Sequence, residues 1–222
     1  MLIILLAPVI VGLIGASTAI FGKTAYKIFT GEDKIAENLQ VLFWLGAFVL
    51  NLGLIKRIFK NGPKGIGFLY IILAIGIIFL IGEEISWGQR IFGWETSDTM
   101  KEINKQGETN FHNIYGVGTM FKYFHMVIGL YGTILPLIFM NPGGLRHNNN
   151  EAISLLVPHY ALVPCFFTAL LWRLQATFWN PPKSLYFAVT EFSEVIELII
   201  AIAFFLFMVY QVRRLKTAEL PA

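Results

Sequence analysis

Three glutamates, Glu191, Glu194 and Glu197, stand in the segment Thr190-Glu191-Phe192-Ser193-Glu194-Val195-Ile196-Glu197, directly before a continuous apolar run. Each residue of a helix advances about 100°, so the three carboxylates fan over about 120° of one face. Counted back from Tyr210 as an inner anchor, at about 1.5 Å per residue, Glu197 lies roughly 20 Å up the helix. That is the outer third of a bilayer, with Glu194 and Glu191 above it. A carboxylate at such depth is costly unless paired, protonated or hydrated, so it marks a functional site. Glu194 and Glu197 are expected to act as general acid and base, or to ligate a metal. Glu191 is a candidate metal ligand, and it also suits a helix end that has left the bilayer.

A second polar segment opens at the end of another apolar run. It reads Gly82-Glu83-Glu84-Ile85-Ser86-Trp87-Gly88-Gln89-Arg90 and continues to Asn104-Lys105-Gln106-Gly107-Glu108-Thr109-Asn110-Phe111-His112-Asn113. Glu84 and His112 join the candidate catalytic groups. Glu83 and His125, with Glu191, are candidate metal ligands. Histidines among carboxylates suit Zn, Mn or Fe, and oxygens alone suit Ca, so a divalent metal is the cofactor to consider. The spacing selects none of them: the chain has no His-Glu-x-x-His, no phosphate-cradling glycine loop and no Gly-x-Ser-x-Gly turn. Arg90 and Arg173 offer planar forks to an anionic head group, with Gln89 and Trp87 as further substrate contacts. If the helix runs on past Gly82, then Glu83, Trp87 and Arg90 share a face. Trp87 and Trp94 would then sit at headgroup level. A surface loop with ordinary salt bridges and caps would gather the same residue types.

The run Glu83 to Arg90, followed by Asn104, Gln106, Glu108, Asn110, His112 and Asn113, resembles a pattern of multi-pass bacterial membrane proteins to which no activity is attached. It covers residues 83–113 and implies no cofactor or catalytic role. The seven-span hydrolases related to alkaline ceramidases place His, Ser, Asp and Glu at a membrane-embedded metal. Their paired histidines on a late helix have no counterpart here, and none of their residues is carried over.

These side chains need elements that can hold them at depth. The chain has 222 residues, 56% hydrophobic and 14% charged, against roughly 25% charged in soluble domains. About 20 apolar residues in a helix, at about 1.5 Å each, cross a core of about 30 Å. Six runs approach that length: 2–21, 39–58, 65–82, 117–140, 152–174 and 184–210. Backbone polar groups in lipid must be satisfied within each run, which demands helices. The expected fold is all-α, a polytopic transmembrane bundle of about six spans forming one domain over residues 1–222. A short interfacial helix is expected to open at Ser97-Asp98-Thr99-Met100 in the third loop. The first run lacks a positive flank and exceeds the usual leader length, so it is expected to be a retained span. Pro158 and Pro164 should kink the fifth span. Residues 22–40 are read as a charge-balanced loop, with Lys23, Lys27 and Lys34 against Glu32, Asp33 and Glu37.

Basic residues sit on one side: Lys56, Arg57, Lys60 and Lys64 after the second span, Arg146 in the fourth loop, and Arg213, Arg214 and Lys216 in the tail. The third loop is acidic. Both ends are therefore expected in the cytoplasm, across a bacterial inner membrane. The basic groups are short and juxtamembrane, which argues against nucleic acid as a partner. Cys165 stands alone in an apolar run and reads as packing, as does His159. If the spans bundle, Glu83, Glu84, His112, His125, Arg173, Glu194 and Glu197 line one outward-opening cavity. Three readings follow: an enzyme acting on a lipid or lipid-linked substrate at the outer leaflet, a cation- or proton-coupled transporter or channel, and a non-catalytic assembly or scaffold subunit.

Overall fold

The structure, a computed structural model, describes residues 2–31, 33–139 and 150–218. Arg146, Glu32 and the last residue of the expected fourth span lie outside the described residues. The described chain is an all-α bundle, with six helical segments long and apolar enough to cross a membrane. The chain reads as a multi-pass membrane protein.

The first span is α1 (Leu2–Ser17), extended by a 3-10 turn at Thr18–Phe21. The stretch expected as a loop is largely helical: α2 (Lys23–Thr30) follows at once, and α3 (Ile35–Asn61) begins before the apolar run does. The reason lies in a stripe. The buried residues of α3 include Glu37, Gln40, Trp44, Ala47, Asn51, Leu54 and Ile58, alternating by three and four. Such spacing keeps one helix face against its neighbours whatever the polarity of its first turns. Gly62 and Pro63 end α3 and start α4 (Lys64–Glu84).

The expected continuation of α4 through Arg90 does not occur. The helix stops at Glu84, and Ser86 (φ 47°), Trp87 (φ 52°) and Gly88 (φ 92°) are all left-handed. Non-glycine residues are held there only when their surroundings insist. Trp87 lies against Gly82, where a Cβ would come within 3.0 Å of the indole, and edge-on to Phe79. A single turn, α5 (Gln89–Phe92), and the expected interfacial helix, α6 (Asp98–Ile103), follow. The Ser97 hydroxyl caps α6 by accepting the Met100 N–H at 3.4 Å.

The fourth span is α7 (Val117–Ile138). The fifth is broken, not merely kinked. It comprises α8 (Glu151–Leu156), an extended Val157, a 3-10 turn at Tyr160–Leu162, and α9 (Val163–Phe178). Pro158 has no N–H to offer Ser154, and the break strands the carbonyls before it. Neighbouring helices meet them: Gln211 donates to Ser154 O at 2.9 Å, Tyr70 to Leu155 O at 2.7 Å, and Tyr131 to Leu156 O. Pro164 falls in the first turn of α9, where a missing N–H costs nothing. The sixth span is α10 (Lys183–Glu191) followed, across Phe192, by α11 (Ser193–Ala218).

The central helix is α11, packed between α3 and α9; α4 lies on α3 and α7 on α9, while α1 touches α9 and α11. The α7–α9 contact is close because Gly129 and Gly132 face Leu170 and Phe166. A Cβ at Gly132 would fall 2.0 Å from the Phe166 ring. Small residues at such crossings let helices gain dispersion contact without a hydrophobic driving force. Trp44, Ile77, Phe166, Ile199, Ile200 and Phe204 fill the middle of the bundle. Leu42, Val49, Ile72, Ile75 and Val127 point outward as exposed apolar groups, as lipid-facing residues should. His159 stacks between Tyr160 and Tyr210, with ring centroids 4.3 and 4.4 Å away, and Cys165 is fully buried.

Candidate functional site

A cavity of about 220 Å³ lies at the end of the bundle where the 85–116 segment folds over the helices. All seven residues expected to share a cavity line it: Glu83, Glu84, His112, His125, Arg173, Glu194 and Glu197. Glu191 lines it as well, joined by Asp33, Glu37, Glu108 and Lys122. One or two turns further along each helix the wall becomes apolar and buried, at Trp44, Ile77, Phe166 and Ile200. The polar chamber therefore ends on a dry floor.

Most of the polar residues of the 83–113 segment hold the segment itself. Glu83, at the end of α4, accepts the Trp87 indole N–H on Oε1 at 2.7 Å. Its Oε2 accepts the backbone N–H groups of Phe111 and His112 at 2.7 and 2.8 Å, and lies 3.2 Å from His112 Nδ1. Ser86 donates to Glu108 at 2.5 Å, and Asn110 joins both. Gln89 donates to Thr96 at 2.6 Å and accepts from Thr109 N at 2.9 Å, so both ends of its amide are used. Asn104 pins the Asn110 carbonyl and receives the N–H groups of Gln106 and Glu108. A loop rich in amides and hydroxyls is what buried irregular backbone needs for its donors and acceptors.

Two arginines cross-link the walls. Arg90 reaches Glu37 Oε1 at 2.5 Å, Asp33 and the Glu84 carbonyl, tying α3 to the end of α4. Arg173, only 4% exposed, donates to Glu197 and, at 3.5 Å, to Ser193. Both forks expected to hold an anionic head group are thus already paired with carboxylates. Gln40 donates to Glu194 Oε2 at 3.1 Å and so fixes α3 to α11.

What remains for a ligand is specific. The Glu84 carboxylate lines the cavity with no hydrogen bond or ion pair among the described residues, within electrostatic reach of Glu197, Glu194 and Glu37 and of the Arg90 cation. His125, 8% exposed, also lines it and has no hydrogen-bond partner among the described residues. His112 lies outside the spans. Burial opposes its charge, but the Glu83 hydrogen bond and the nearby carboxylates outweigh that and hold the imidazole above its ordinary 6.5. A carboxylate that already accepts N–H bonds can only accept again, so His112 carries its proton on Nδ1, while its Nε2 lies 3.0 Å from the Asn113 side-chain nitrogen.

Gln89, Trp87 and Arg90 stand outside the cavity wall as braces of the loop. Among the described residues, no three His, Cys, Asp or Glu side chains come together in a way that would hold a metal. Glu83, Glu191 and His125 therefore do not form the expected metal set, and Glu83 spends its lone pairs on four N–H groups. Sequence reasoning missed Asp33, Glu37 and Gln40. The signal was the three-four stripe running from Glu37 through Trp44 to Ile58. No protein-family model, curated protein or solved structure matches the chain.

Proposed function

We propose that this protein is a membrane-embedded enzyme acting on a lipid or lipid-linked substrate, with its cavity open to the outer leaflet of a bacterial inner membrane. The observation that carries this reading is Glu84, a carboxylate without a protein partner that faces other carboxylates in a polar chamber at the end of the spans. A carboxyl group kept unpaired beside like charges is suited to accept and return a proton. His112 is the second proton-transfer group, with Glu83 fixing its tautomer and orientation as a carboxylate does in many acid–base pairs. Glu194 and Glu197, anchored by Gln40 and Arg173, supply the field around the reacting atoms. The chemistry is proton transfer to a polar head whose apolar part stays in the bilayer.

The dry floor favours this over the transporter reading, which needs a polar route through Trp44, Ile77, Phe166 and Ile200. Orientation rests on charge. Lys56, Arg57, Lys60, Lys64, Arg213 and Arg214 gather at the end away from the cavity, and cytoplasmic loops collect Lys and Arg. Both chain ends then lie in the cytoplasm.

The test is lipid turnover by the purified protein in nanodiscs made from bacterial lipids, followed by mass spectrometry. Turnover should be present in the wild type and lost in Glu84→Gln with the melting temperature unchanged. Full turnover in Glu84→Gln would overturn the assignment. Proton-linked cation flux in proteoliposomes, abolished by the same substitution, would replace it with the transporter reading. Neither activity in the wild type would leave a scaffold.

A further inference from the structure

Building on the enzyme reading, we infer that the head group entering the cavity is a primary ammonium carried next to a phosphate, with the ammonium deep and the phosphate at the rim. Charge is the first argument. Carboxylates dominate the wall, and its buried cation, Arg173, is already taken by Glu197. Arg90, behind the wall, is held by Asp33 and Glu37. A concave, low-dielectric site of this sign attracts cations and repels bare anions.

The second argument is independent of charge. His125 is more than nine-tenths buried, lines the cavity and finds no hydrogen-bond partner among the described residues. Buried polar groups are rarely left so, and an imidazole at the cavity wall without a protein partner keeps hydrogen-bonding capacity for a ligand. A neutral imidazole accepts an N–H through its unprotonated nitrogen. Glu84 on α4, Glu194 on α11 and His125 on α7 then present three acceptors to one chamber. A primary ammonium has three N–H donors. A trimethylammonium has none and calls for an aromatic cage, whereas Phe121 is the sole Phe, Tyr or Trp among the described lining residues.

The rim supplies the opposite charge. Lys122 lies three residues before His125 on α7 and is exposed at the cavity edge. The Lys105 ammonium lies near the lining residue Gly118, 4.0 Å from where a Cβ there would stand, and 5.9 Å from the Tyr115 ring centroid. Two flexible ammonium groups suit a phosphate as point charges. A chamber of about 220 Å³ accepts a small head and leaves acyl chains outside.

The experiment measures lipid retained by the full chain, by native mass spectrometry, after reconstitution with equal phosphatidylethanolamine, phosphatidylcholine and phosphatidylglycerol. Phosphatidylethanolamine should be retained about tenfold over either competitor. Glu84→Gln, which removes no hydrogen bond from the fold, should abolish that preference. Lys122→Ala should weaken retention of all three lipids without changing their order. Preference for phosphatidylglycerol, or equal retention of the three with no uptake of soluble phosphoethanolamine, overturns the inference. Isothermal titration with soluble phosphoethanolamine identifies the source of the ligand. Uptake from the lipid alone assigns the site to a membrane head group, and uptake of the soluble compound alone assigns it to a free amine phosphate; either keeps the ammonium assignment. Turnover of phosphatidylglycerol without retention of phosphatidylethanolamine sinks the inference and spares the enzyme reading. Phosphatidylethanolamine bound but never turned over does the reverse.

Discussion

Glu83 and His112 meet through a single carboxylate oxygen, which lies 3.2 Å from the imidazole Nδ1 and also accepts the backbone N–H groups of Phe111 and His112. One residue at the end of α4 thereby orients the ring and the backbone that carries it. Because the His112 pKa is raised above 6.5 in the folded state, the charged pair contributes stability fully below that ordinary value. The contribution is lost as pH rises through the higher folded value. Proteolysis within residues 95–110 should therefore speed up on that rise, and a histidine NMR titration should give a midpoint above 6.5. Glu83→Gln should lower the midpoint and remove the pH dependence. Identical titrations in both proteins would count against the pair.

Arg173 and Glu197 join α9 to α11 from side chains that are 5% and 24% exposed. Removing either partner leaves a charge in poor surroundings, at a cost of up to about 3 kcal/mol, toward the lower end for buried pairs because Glu197 reaches the cavity. The paired change Arg173→Met with Glu197→Leu should cost less than either alanine substitution alone. Thermal unfolding in detergent ranks the three variants. A double variant as unstable as the sum of the singles would show that the pair does not act as a unit.

The break at Pro158 depends on donors from other helices. Gln211→Leu strands the Ser154 carbonyl, and Tyr70→Phe strands that of Leu155. Each should cost about 1–3 kcal/mol, the desolvation penalty of an unsatisfied buried group. The same thermal assay reads it. Wild-type melting in both variants would mean that water serves these carbonyls.

The proposed orientation makes a simple labelling prediction. In a Cys165→Ser background, Lys101→Cys on α6 should react with a membrane-impermeant maleimide in intact cells. Lys60→Cys, near the end of α3, should react only after permeabilisation. The opposite pattern would invert the topology and move the cavity to the cytoplasmic leaflet.

The spans were legible because a bilayer imposes length and apolarity on each helix separately, with no knowledge of its neighbours. Depth was legible for the same reason: Glu194, Glu197, Arg173, His125 and Glu83 were expected at one level and share one cavity. The carboxylates of residues 22–40 went unrecognised as cavity residues, since hydropathy hides a polar helix start and only periodicity reveals it.

Composition and spacing by themselves determined that six helical segments are long and apolar enough to cross a membrane and that many of their carboxylates and histidines gather toward one end. Roles were decided by the tertiary structure. Arg90 and Arg173 became braces because carboxylates from other helices neutralise them, and Glu83 became an anchor because a left-handed turn brings backbone N–H groups to it. Glu84 and His125 kept their capacity for a ligand because no group among the described residues hydrogen-bonds their side chains. Pairing between distant segments is a property of three-dimensional packing, and residue type and one-dimensional spacing carry depth but not partners.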